Sequence, residues 1–286
     1  MVVPAYNARR TLDEQLDALE RQDYPGEFEV IVSDNGSNDG LREHLRSRRG
    51  PGPIRMEYID SSQVRGAAHA RNEAIFRSRG DFIAFCDADD RVHDDWLSEL
   101  VALAPSFDAV AGSVETLTLN SSEVCKWLPM PDPEQIPMVF GWKRAIFSGS
   151  FGMWRRTAEA VEGFDATYHR GGEDNDLALR IQLAGLTIGH ASKAVVSVRL
   201  RSSYRDLWKQ MYRYGQADAM LYAAYRDQGV PVRRPRATLK DLARIVILNP
   251  IVPQHFTNYP RGLWVKDLAN IAGKARGSLR QRTYYV

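Results

Sequence analysis

The fold of this chain is constrained most by a regular alternation of short apolar runs and helix-forming segments over residues 1–114. Each run has the length and the β-branched or aromatic content of a buried strand, and the segments between runs carry apolar residues at helical spacing. Strands that alternate with helices in this way form a parallel sheet through right-handed βαβ connections. The predicted strands are Val2-Val3 and residues 28–33, 55–59, 82–86 and 109–114, with a late strand at 194–198.

One of these runs, residues 82–86, ends abruptly in the acidic segment Asp87-Ala88-Asp89-Asp90. Ligands of open α/β sheets bind at the carboxyl ends of the strands. Carboxylates that share such an end repel each other unless a positive charge lies between them, and a divalent cation that carries phosphates is the natural candidate. A solvated acidic turn is the alternative, and it is the other motifs of the chain that favour a cation site over such a turn.

The composition disfavours several classes of protein. The chain has 286 residues but only two cysteines, Cys86 and Cys125, which suggests neither a disulfide framework nor a cysteine-based zinc site and fits a reducing cytoplasm. We expect no secretory signal, because Pro4 and Asn7 interrupt the start of the chain. A dehydrogenase is disfavoured because no G-x-G-x-x-G motif follows the first predicted strand.

Charge divides the chain into an acidic and a basic part. Residues 1–198 hold 31 acidic and 21 basic side chains, whereas residues 199–286 hold 5 acidic and 17 basic ones. The basic part is predicted to be helical, and it would bring the protein to an anionic membrane or a lipid-linked phosphate. In the alternatives, the basic part covers the sheet, forms a homodimer interface or is merely a solvated basic face. We expect no nucleic-acid partner. The basic residues concerned are Arg205, Lys209, Arg213, Arg233, Arg234 and Arg236.

Six short motifs follow one another in a fixed order. They are Pro4-Ala5-Tyr6-Asn7, Asp34-Asn35-Gly36-Ser37-Asn38-Asp39-Gly40, Ala70-Arg71-Asn72, Asp87-Ala88-Asp89, Gly163-Phe164-Asp165 and Glu173-Asp174. No single motif is specific, but the ordered set resembles glycosyltransferase family 2, an inverting group with the GT-A fold, over residues 1–200. The resemblance implies an α/β protein with a Rossmann-like, mostly parallel central sheet flanked by helices. We therefore expect a nucleotide-sugar-binding and catalytic domain at 1–200 and a basic, mainly helical C-terminal extension at 201–286.

The resemblance also implies an activity and a set of site residues. The activity is transfer of a sugar from a nucleotide-diphosphate donor to a hydroxyl acceptor, which would be a saccharide, a lipid-linked compound or a small molecule. Such a transferase would serve the biosynthesis of a polysaccharide, glycolipid or other glycoconjugate. The implied residues are Pro4, Ala5, Tyr6 and Asn7 for the nucleotide, Asp34 and Asn35 for the base, Arg71 for the pyrophosphate, Asp87 with Ala88 for the ribose or uridine side, Asp89 for Mn²⁺ or Mg²⁺, Gly172 and Glu173 for the donor sugar, and Asp174 as general base.

Physical chemistry agrees with these roles. The departing nucleoside diphosphate gains negative charge as the glycosidic bond breaks, and a divalent ion on Asp89 would stabilise that charge. Inversion needs one displacement from the opposite face, so a carboxylate such as Asp174 must take the proton of the incoming hydroxyl. Gly171 and Gly172 would let the backbone approach the sugar closely.

The chain departs from the common family pattern at two places. Asn35 stands where many relatives carry a second aspartate, which leaves the donor base open. Where many relatives have a histidine after the late strand, this chain has Arg199 and Arg201. Arginine cannot bind a cation, but it clamps phosphate. We therefore predict that Arg199 or Arg201 supplies positive charge to the diphosphate. His190 is the alternative replacement for the missing metal ligand.

Two other functions remain open at this point. A nucleotidyltransferase also uses carboxylate-held Mg²⁺ on an α/β sheet, although it would leave Asp174 without a role. A non-catalytic nucleotide-sugar-binding protein on the same fold is the second alternative. Four aromatic side chains flank the acceptor side in the family's layout, with core packing as the simpler interpretation: Trp142, Phe151, Trp154 and Tyr168. We expect a cytoplasmic protein, either free or peripheral to the inner face of the membrane.

Overall fold

The computed structural model describes residues 1–48, 54–168, 171–251 and 257–286. Within these residues, one eight-stranded sheet has the order β3-β2-β1-β4-β9-β6-β10-β5, and β7 pairs with β8 in a small separate hairpin. The strands are β1 (Val2–Ala5), β2 (Glu29–Asp34), β3 (Arg55–Asp60), β4 (Phe82–Cys86), β5 (Arg91–Val92), β6 (Ala109–Glu115), β7 (Met138–Val139), β8 (Lys143–Arg144), β9 (Ser150–Trp154) and β10 (Ile188–Ser197).

Helices cover both faces of the sheet and form the C-terminal part. They are α1 (Leu12–Glu20), α2 (Leu41–Ser47), α3 (Ala67–Arg77), α4 (Trp96–Leu103), α5 (Ser122–Cys125), α6 (Arg155–Ala160), α7 (Glu173–Leu183), α8 (Tyr204–Tyr225), α9 (Pro235–Ile247) and α10 (Arg261–Gln281). Among the described helices, none is long and apolar enough to cross a bilayer.

The sheet is mostly parallel, as the sequence predicted. Strand β1 pairs in parallel with β2 and β4, β2 with β3, and β6 with β10, whereas β9 and β5 run antiparallel to their neighbours. The carboxyl ends of β1, β2 and β4 therefore lie at one edge of the sheet, and the motifs that follow them meet there.

Alternation along the strands produces two apolar layers. In β4, Ala84 and Cys86 face the layer formed with α1 and α4, whereas Ile83 and Phe85 face the layer formed with α3 and α7. The Phe85 ring stacks on Phe151 of β9 with a centroid separation of 4.6 Å. The strand that carries the acidic segment is thus fixed from both sides.

The two long C-terminal helices, α8 and α10, approach each other more closely than side chains permit. A Cβ atom at Gly215 would lie 2.2 Å from the carbonyl oxygen of Asn270, and one at Gly273 would lie 2.1 Å from that of Tyr212. Both contacts are with backbone atoms, so only glycine fits at either position. The pair therefore forms one tightly joined unit beside the sheet.

Candidate active site

A cavity of about 1080 Å³ opens at the edge of the sheet where the motifs meet. Its walls come from the loops after β1, β2 and β4, from α3, from the segment before β9, from the start of α7 and from helices α8 and α10. The predicted site residues that line it are Pro4, Ala5, Tyr6, Asn7, Asn35, Arg71, Asp87, Ala88, Asp89, Gly172, Glu173, Asp174, Arg199 and Arg201. Asp34 is the predicted site residue that does not line the cavity.

The acidic turn after β4 is held by a buried glutamine that sequence reasoning missed. Gln15 of α1 donates a hydrogen bond from Nε2 to the carbonyl oxygen of Asp87 (3.0 Å) and accepts one from Val92 N (2.9 Å). Its side chain is fully buried among apolar residues. A single polar residue on the apolar face of a predicted helix was the available signal. Because both ends of its amide are used, Gln15 fixes the turn that presents Asp87 and Asp89.

The carboxylates of this turn oppose one another electrostatically. Burial, followed by the charge of Asp87, raises the pKa of Asp89, and burial with the charges of Asp87 and Asp89 raises the pKa of Asp90 to about 8. Asp90 accepts a hydrogen bond from Arg199 N at 2.8 Å, so it joins the turn to the segment after β10. The guanidinium of Arg201 lies 3.5 Å from Asp89 and is the neighbouring positive charge in the cavity mouth.

These residues fit a divalent cation that brings most of its own ligands. Among the described residues, no group of three or more histidine, cysteine, aspartate or glutamate side chains is arranged to hold a metal by itself. Asp89, however, keeps a raised pKa although Arg201 and Arg199 both act to lower it, which is the electrostatic situation that a cation relieves. Mg²⁺ and Mn²⁺ commonly bind through one or two carboxylates plus phosphate oxygens and water. His190 lies outside the cavity, with Nε2 2.7 Å from Pro133 O, and cannot complete such a site.

Arg71 connects the acidic turn to the start of α7. Its guanidinium is 2.7 Å from Asp87 Oδ1 and 3.1 Å from Glu173 Oε1, and it lies 5.4 Å from the centroid of the Phe164 ring. Burial acts to lower the pKa of Arg71, but the Asp87 and Glu173 carboxylates outweigh it and raise that pKa further. Arg71 is only 2% exposed, so its charge is held in the interior by these two carboxylates.

Asp174 occupies the second position of α7, at the cavity wall. Burial, followed by the charge of Glu173, raises its pKa from the ordinary 3.8 to about 7. The backbone N–H of Asn175 donates to Asp174 Oδ1 at 2.8 Å, and backbone hydrogen bonds from Asn175 and Ser148 act to lower the pKa without outweighing burial. A carboxylate whose pKa lies near neutral pH is suited to proton transfer.

The glycines before α7 allow the close packing of that helix, and their predicted approach to a sugar stays a prediction. Gly172 has a φ of 93°, and a Cβ there would meet Ala217 at 3.0 Å and Leu221 at 3.1 Å, both on α8. A Cβ at Gly171 would likewise meet the Tyr214 ring at 3.1 Å. The two glycines therefore allow α7, with Asp174, to begin directly against α8.

The two residues predicted to face the base form hydrogen bonds within the protein. Asp34 accepts hydrogen bonds from Tyr58 Oη (3.0 Å) and Ser37 N (2.9 Å) and is buried. Asn35 Nδ2 donates to the carbonyl oxygens of Ser61 and Val64, and its Oδ1 accepts from Gly66 N. Their predicted contact with a base stays a prediction.

The C-terminal helices form a cavity wall that sequence reasoning missed. Gln210, Tyr214 and Asp218 of α8 and Asn270 of α10 all line the cavity. Enclosure by the cavity walls, followed by the charge of Asp174, raises the pKa of Tyr214 to about 12, so its hydroxyl lies within the field of that carboxylate. The spacing of Gln210, Tyr214 and Asp218 by four residues on a helix was a signal for a shared face.

The aromatic residues predicted on the acceptor side do not line this cavity. Phe151 and Tyr168 are buried in apolar clusters, and Trp154 Nε1 donates to the carbonyl oxygens of Ala104 and Phe107. Trp142 packs against the cluster that contains Tyr168. The structure therefore favours core packing, the simpler interpretation from the sequence, over sugar stacking on these side chains.

Solved glycosyltransferases have the same architecture. The mannosyltransferase PcManGT from Pyrobaculum calidifontis, solved in complex with GDP-Man and Mn²⁺, superposes with a TM-score of 0.64 and 21% identity over 96% of this chain and 85% of that one. S. aureus TarS 1–349 in complex with UDP-GlcNAc superposes with a TM-score of 0.55 and 16% identity over 100% and 92%. At these identities the likeness shows the fold, which is the GT-A fold of glycosyltransferases.

The family follows from the sequence comparisons. The family model described as Glycosyl transferase family 2 matches residues 1–161, and one described as N-terminal domain of galactosyltransferase matches residues 139–201. The chain therefore belongs to glycosyltransferase family 2. It is 30% identical over 196 residues to the amylovoran biosynthesis glycosyltransferase AmsB of Erwinia amylovora, which covers 65% of this chain and 64% of AmsB. It is 29% identical over 225 residues to the succinoglycan biosynthesis protein ExoM of Rhizobium meliloti, which covers 75% and 72%.

Two other relatives align with this chain over less than half of their own length. The aligned region spans 22% of the uncharacterized glycosyltransferase YfnE of Bacillus subtilis and 38% of the glycosyltransferase AglE of Haloferax volcanii. The predicted family, the GT-A fold class and the enzyme class, glycosyltransferase, are confirmed. The boundary at residue 200 and the roles of single site residues stay predictions.

Proposed function

We propose that this protein is an inverting, metal-assisted glycosyltransferase that moves a sugar from a nucleotide-diphosphate donor to a hydroxyl of a saccharide-containing acceptor. One observation carries the proposal: a single cavity holds both a mutually repelling carboxylate turn, Asp87 to Asp90, and a separate carboxylate, Asp174, whose pKa is raised to about 7. Two carboxylate environments that differ in this way support two different tasks.

The donor diphosphate is proposed to bind between the acidic turn and the two arginines after β10. Asp89 would hold Mn²⁺ or Mg²⁺ together with diphosphate oxygens, and the bound ion would stabilise the charge that develops on the leaving group. Arg201 is half-exposed and only 3.5 Å from Asp89, so it is free to exchange that carboxylate for a phosphate oxygen. Arg199 already pairs with Glu14 at 2.6 Å and serves the shape of the site.

The proton of the attacking hydroxyl is proposed to go to Asp174. Its raised pKa makes the carboxylate a stronger base than an exposed aspartate, and near neutral pH a large share of it is ionised. Arg71 holds Glu173, the preceding residue, against Asp87, so the base is kept at a fixed position relative to the donor turn. Bond formation at one face of the sugar and departure of the diphosphate from the other give inversion.

The acceptor is proposed to lie against the wall formed by α8. Gln210 Nε2 donates to the Tyr214 hydroxyl at 3.2 Å, which leaves the Tyr214 proton available for a ligand oxygen. Glu173 is paired with Arg71 at 3.1 Å and Asp218 with Lys274 at 3.4 Å, so this end of the cavity carries little net charge and suits a neutral, hydroxyl-rich sugar. Replacing Tyr214 by Phe should raise KM for the acceptor and leave transfer of the donor sugar to water unchanged. An unchanged KM for the acceptor would contradict acceptor binding at α8.

The cellular setting is proposed to be the cytoplasm. Cys86 and Cys125 are both free thiols, which supports a reducing compartment. A glycoconjugate pathway is supported by the similarity to AmsB, an amylovoran biosynthesis glycosyltransferase, and to ExoM, a succinoglycan biosynthesis protein.

The experiment that tests the proposal begins with thermal shift. UDP, GDP, TDP and CDP are each added with Mn²⁺ or with EDTA; stabilisation by one nucleotide only with Mn²⁺ supports the donor site, and no stabilisation by any of them contradicts it. The nucleotide sugar of the base that binds is then incubated with the protein, and the nucleotide product is identified. Free nucleoside diphosphate supports glycosyl transfer, whereas pyrophosphate indicates a nucleotidyltransferase.

The variant Asp174→Asn separates an enzyme from a binding protein. It should bind the nucleoside diphosphate as the wild type does and lose at least about a hundredfold in turnover, because general base catalysis contributes about 10²–10⁴-fold. Unchanged turnover would remove Asp174 as the base. Donor binding without turnover in the wild type, even toward water, would favour the binding-protein alternative.

A further inference from the structure

Helix α9 exposes an apolar stripe that the proposed function does not use. Four of its side chains are largely in solvent: Leu239 is 65% exposed, Leu242 42%, Val246 73% and Ile247 67%. At 100° per residue, positions 239, 242 and 246 lie on one side of the helix, and Ile247 lies at the edge of the same side. We call these four residues the α9 apolar stripe. Single exposed apolar side chains are ordinary, but a contiguous stripe marks an interaction surface.

The stripe is extended at both ends of the helix. Val232, three residues before α9, is 73% exposed, and Ile251, four residues after it, is 87% exposed. Exposed apolar side chains are therefore present before and after the helix as well as on it.

Basic side chains border the stripe. Arg236 and Lys240 are exposed on α9 next to Ile247 on the helical wheel, and Arg234 is exposed immediately before the helix. Within the part of the chain that the structure describes, none of these three forms an ion pair with an acidic side chain. Arg244, by contrast, is neutralised by Asp241 at 3.3 Å and Asp267 at 3.1 Å. Unpaired positive charge is therefore concentrated beside the apolar stripe.

The opposite side of α9 is anchored to the rest of the protein. Thr238 and Ile245 are buried, and Trp264 Nε1 of α10 donates to the carbonyl oxygen of Ile245 at 2.9 Å. Arg233, just before the helix, pairs with Asp241 at 2.5 Å. These contacts fix the orientation of α9 and keep the stripe in solvent, so its exposure is a property of the folded structure.

We propose that the α9 apolar stripe is a docking surface for an anionic lipid bilayer, with α9 lying in the plane of the interface. The positive charges of Arg234, Arg236 and Lys240 match anionic headgroups, while Leu239, Leu242 and Val246 enter the boundary of the acyl chains. A helix of 13 residues is too short to span the bilayer, and α9 does not meet the criterion for a membrane span. On α8, the basic residues Arg205, Lys209 and Arg213 have Tyr204 and Trp208 beside them, which are 44% and 37% exposed, less than the 65–73% of Leu239, Val246 and Ile247 on α9. We therefore expect docking through α9 without the basic residues of α8.

Vesicle co-sedimentation of the full chain tests this proposal. Vesicles of phosphatidylcholine with about 30 mol% phosphatidylglycerol are compared with vesicles of phosphatidylcholine alone, at low and high salt. The wild type should bind the anionic vesicles in a salt-sensitive manner. The double variant L239Q/V246Q and the double variant R236Q/K240Q should each reduce the partition coefficient about tenfold or more, since two buried apolar groups or two headgroup contacts are lost.

Matched controls change the same chemistry at other sites. Phe76 on α3 is 82% exposed, and Phe76→Gln removes an exposed apolar side chain away from α9. R205Q/R213Q removes two exposed positive charges from α8. Both controls should bind vesicles as the wild type does, and all variants should keep the thermal shift with nucleoside diphosphate. That readout separates failure of the docking proposal from failure of the proposed function.

Three outcomes would overturn the docking proposal. The first is a wild type that does not bind anionic vesicles, and the second is equal binding by the wild type and L239Q/V246Q. The third comes from light scattering without lipid: a wild-type dimer that becomes a monomer in L239Q/V246Q would assign the stripe to a second copy of this chain.

Discussion

Asn72 forms two hydrogen bonds with the backbone of Phe164, each 2.8 Å long. Its Nδ2 donates to the Phe164 carbonyl oxygen, and its Oδ1 accepts from Phe164 N. Gly163 precedes Phe164 with a φ of 65°, and a Cβ there would lie 2.6 Å from Asn72 Oδ1. Two motifs separated by about ninety residues are therefore parts of one contact, which sets the Phe164 ring beneath the guanidinium of Arg71.

Replacement of Asn72 by Ala should destabilise the protein by about 2 kcal/mol, because both hydrogen bonds are lost and the backbone groups of Phe164 are left without partners. Chemical denaturation measures the change. An unchanged denaturation midpoint would mean that this contact does not hold the loop.

Arg71→Gln should lower turnover and shift its pH dependence. Glutamine carries no charge and cannot pair with Asp87 and Glu173, whereas the charge of Arg71 helps to lower the pKa of Asp174. The pH at which turnover is half-maximal should therefore rise in the variant. Arg77→Gln on the same helix is the control, since Arg77 is an exposed partner of Glu57. Equal pH profiles for the two variants would contradict a link between Arg71 and the base.

Turnover and stability should both change with pH as Asp174 titrates. Turnover should rise with pH and level off above about 7, since only the ionised carboxylate accepts a proton. The folded-state pKa of about 7 is above the unfolded value of 3.8, so the stability that this group contributes at low pH is lost as the pH rises between those values.

Asp174→Asn has no such titration and should gain stability relative to the wild type over the same pH interval. The gain is at most about 1.4 kcal/mol per pH unit. Unfolding curves of both proteins at pH 5 and pH 8 measure it. A constant difference in the free energy of unfolding between the two pH values would argue that the pKa of Asp174 is not raised.

Arg201→Ala should weaken binding of the nucleoside diphosphate with Mn²⁺ by about tenfold, the size expected for loss of a charge-assisted hydrogen bond to phosphate. Isothermal calorimetry gives the affinity. Arg205→Ala is the matched control, because Arg205 is exposed and does not line the cavity. Equal affinities of the wild type and Arg201→Ala would exclude Arg201 from the diphosphate site.

Gly273→Ala should destabilise the protein by about 3 kcal/mol or more, because the new methyl group would lie 2.1 Å from the carbonyl oxygen of Tyr212 and would force α8 and α10 apart. Gly80→Ala is the control, since a Cβ there would meet its nearest neighbour at an ordinary 3.4 Å. Thermal unfolding compares the two variants. If both melt like the wild type, the helices tolerate a wider separation than the structure indicates.

The meeting of the acidic turn with the loop after β1 was predictable from the sequence, whereas the cavity wall formed by α8 was not. Asp87 and Asp89 directly follow a strand whose pattern is local, and the sheet edge brings them to Tyr6 and Asn7. Tyr214 reaches the cavity only because α8 packs on α10 and on the start of α7, and these contacts between distant segments leave no local pattern. Gln15 was missed for a related reason: its partners, Asp87 and Val92, are more than seventy residues away.

The sequence alone did not decide whether the aromatic side chains are buried or face the site. Phe151 alternates with small residues in a strand, and its composition allows either a sugar platform or an interior position. The choice is made by Phe85 and Phe164, whose rings enclose it. Asp34 illustrates a similar limit, because Tyr58 on the neighbouring strand satisfies a carboxylate that the motif alone would assign to a ligand.

The glycine contact between α7 and α8 has a consequence for how such enzymes diversify. Because Gly172 packs against Ala217 and Leu221, the helix whose Tyr214 is proposed to contact the acceptor also positions Asp174, the proposed base. A chimera that joined residues 1–200 to the C-terminal segment of a relative would change acceptor preference and reactivity at once. New specificities would therefore arise more readily by single exchanges on the cavity side of α8 than by exchange of whole segments.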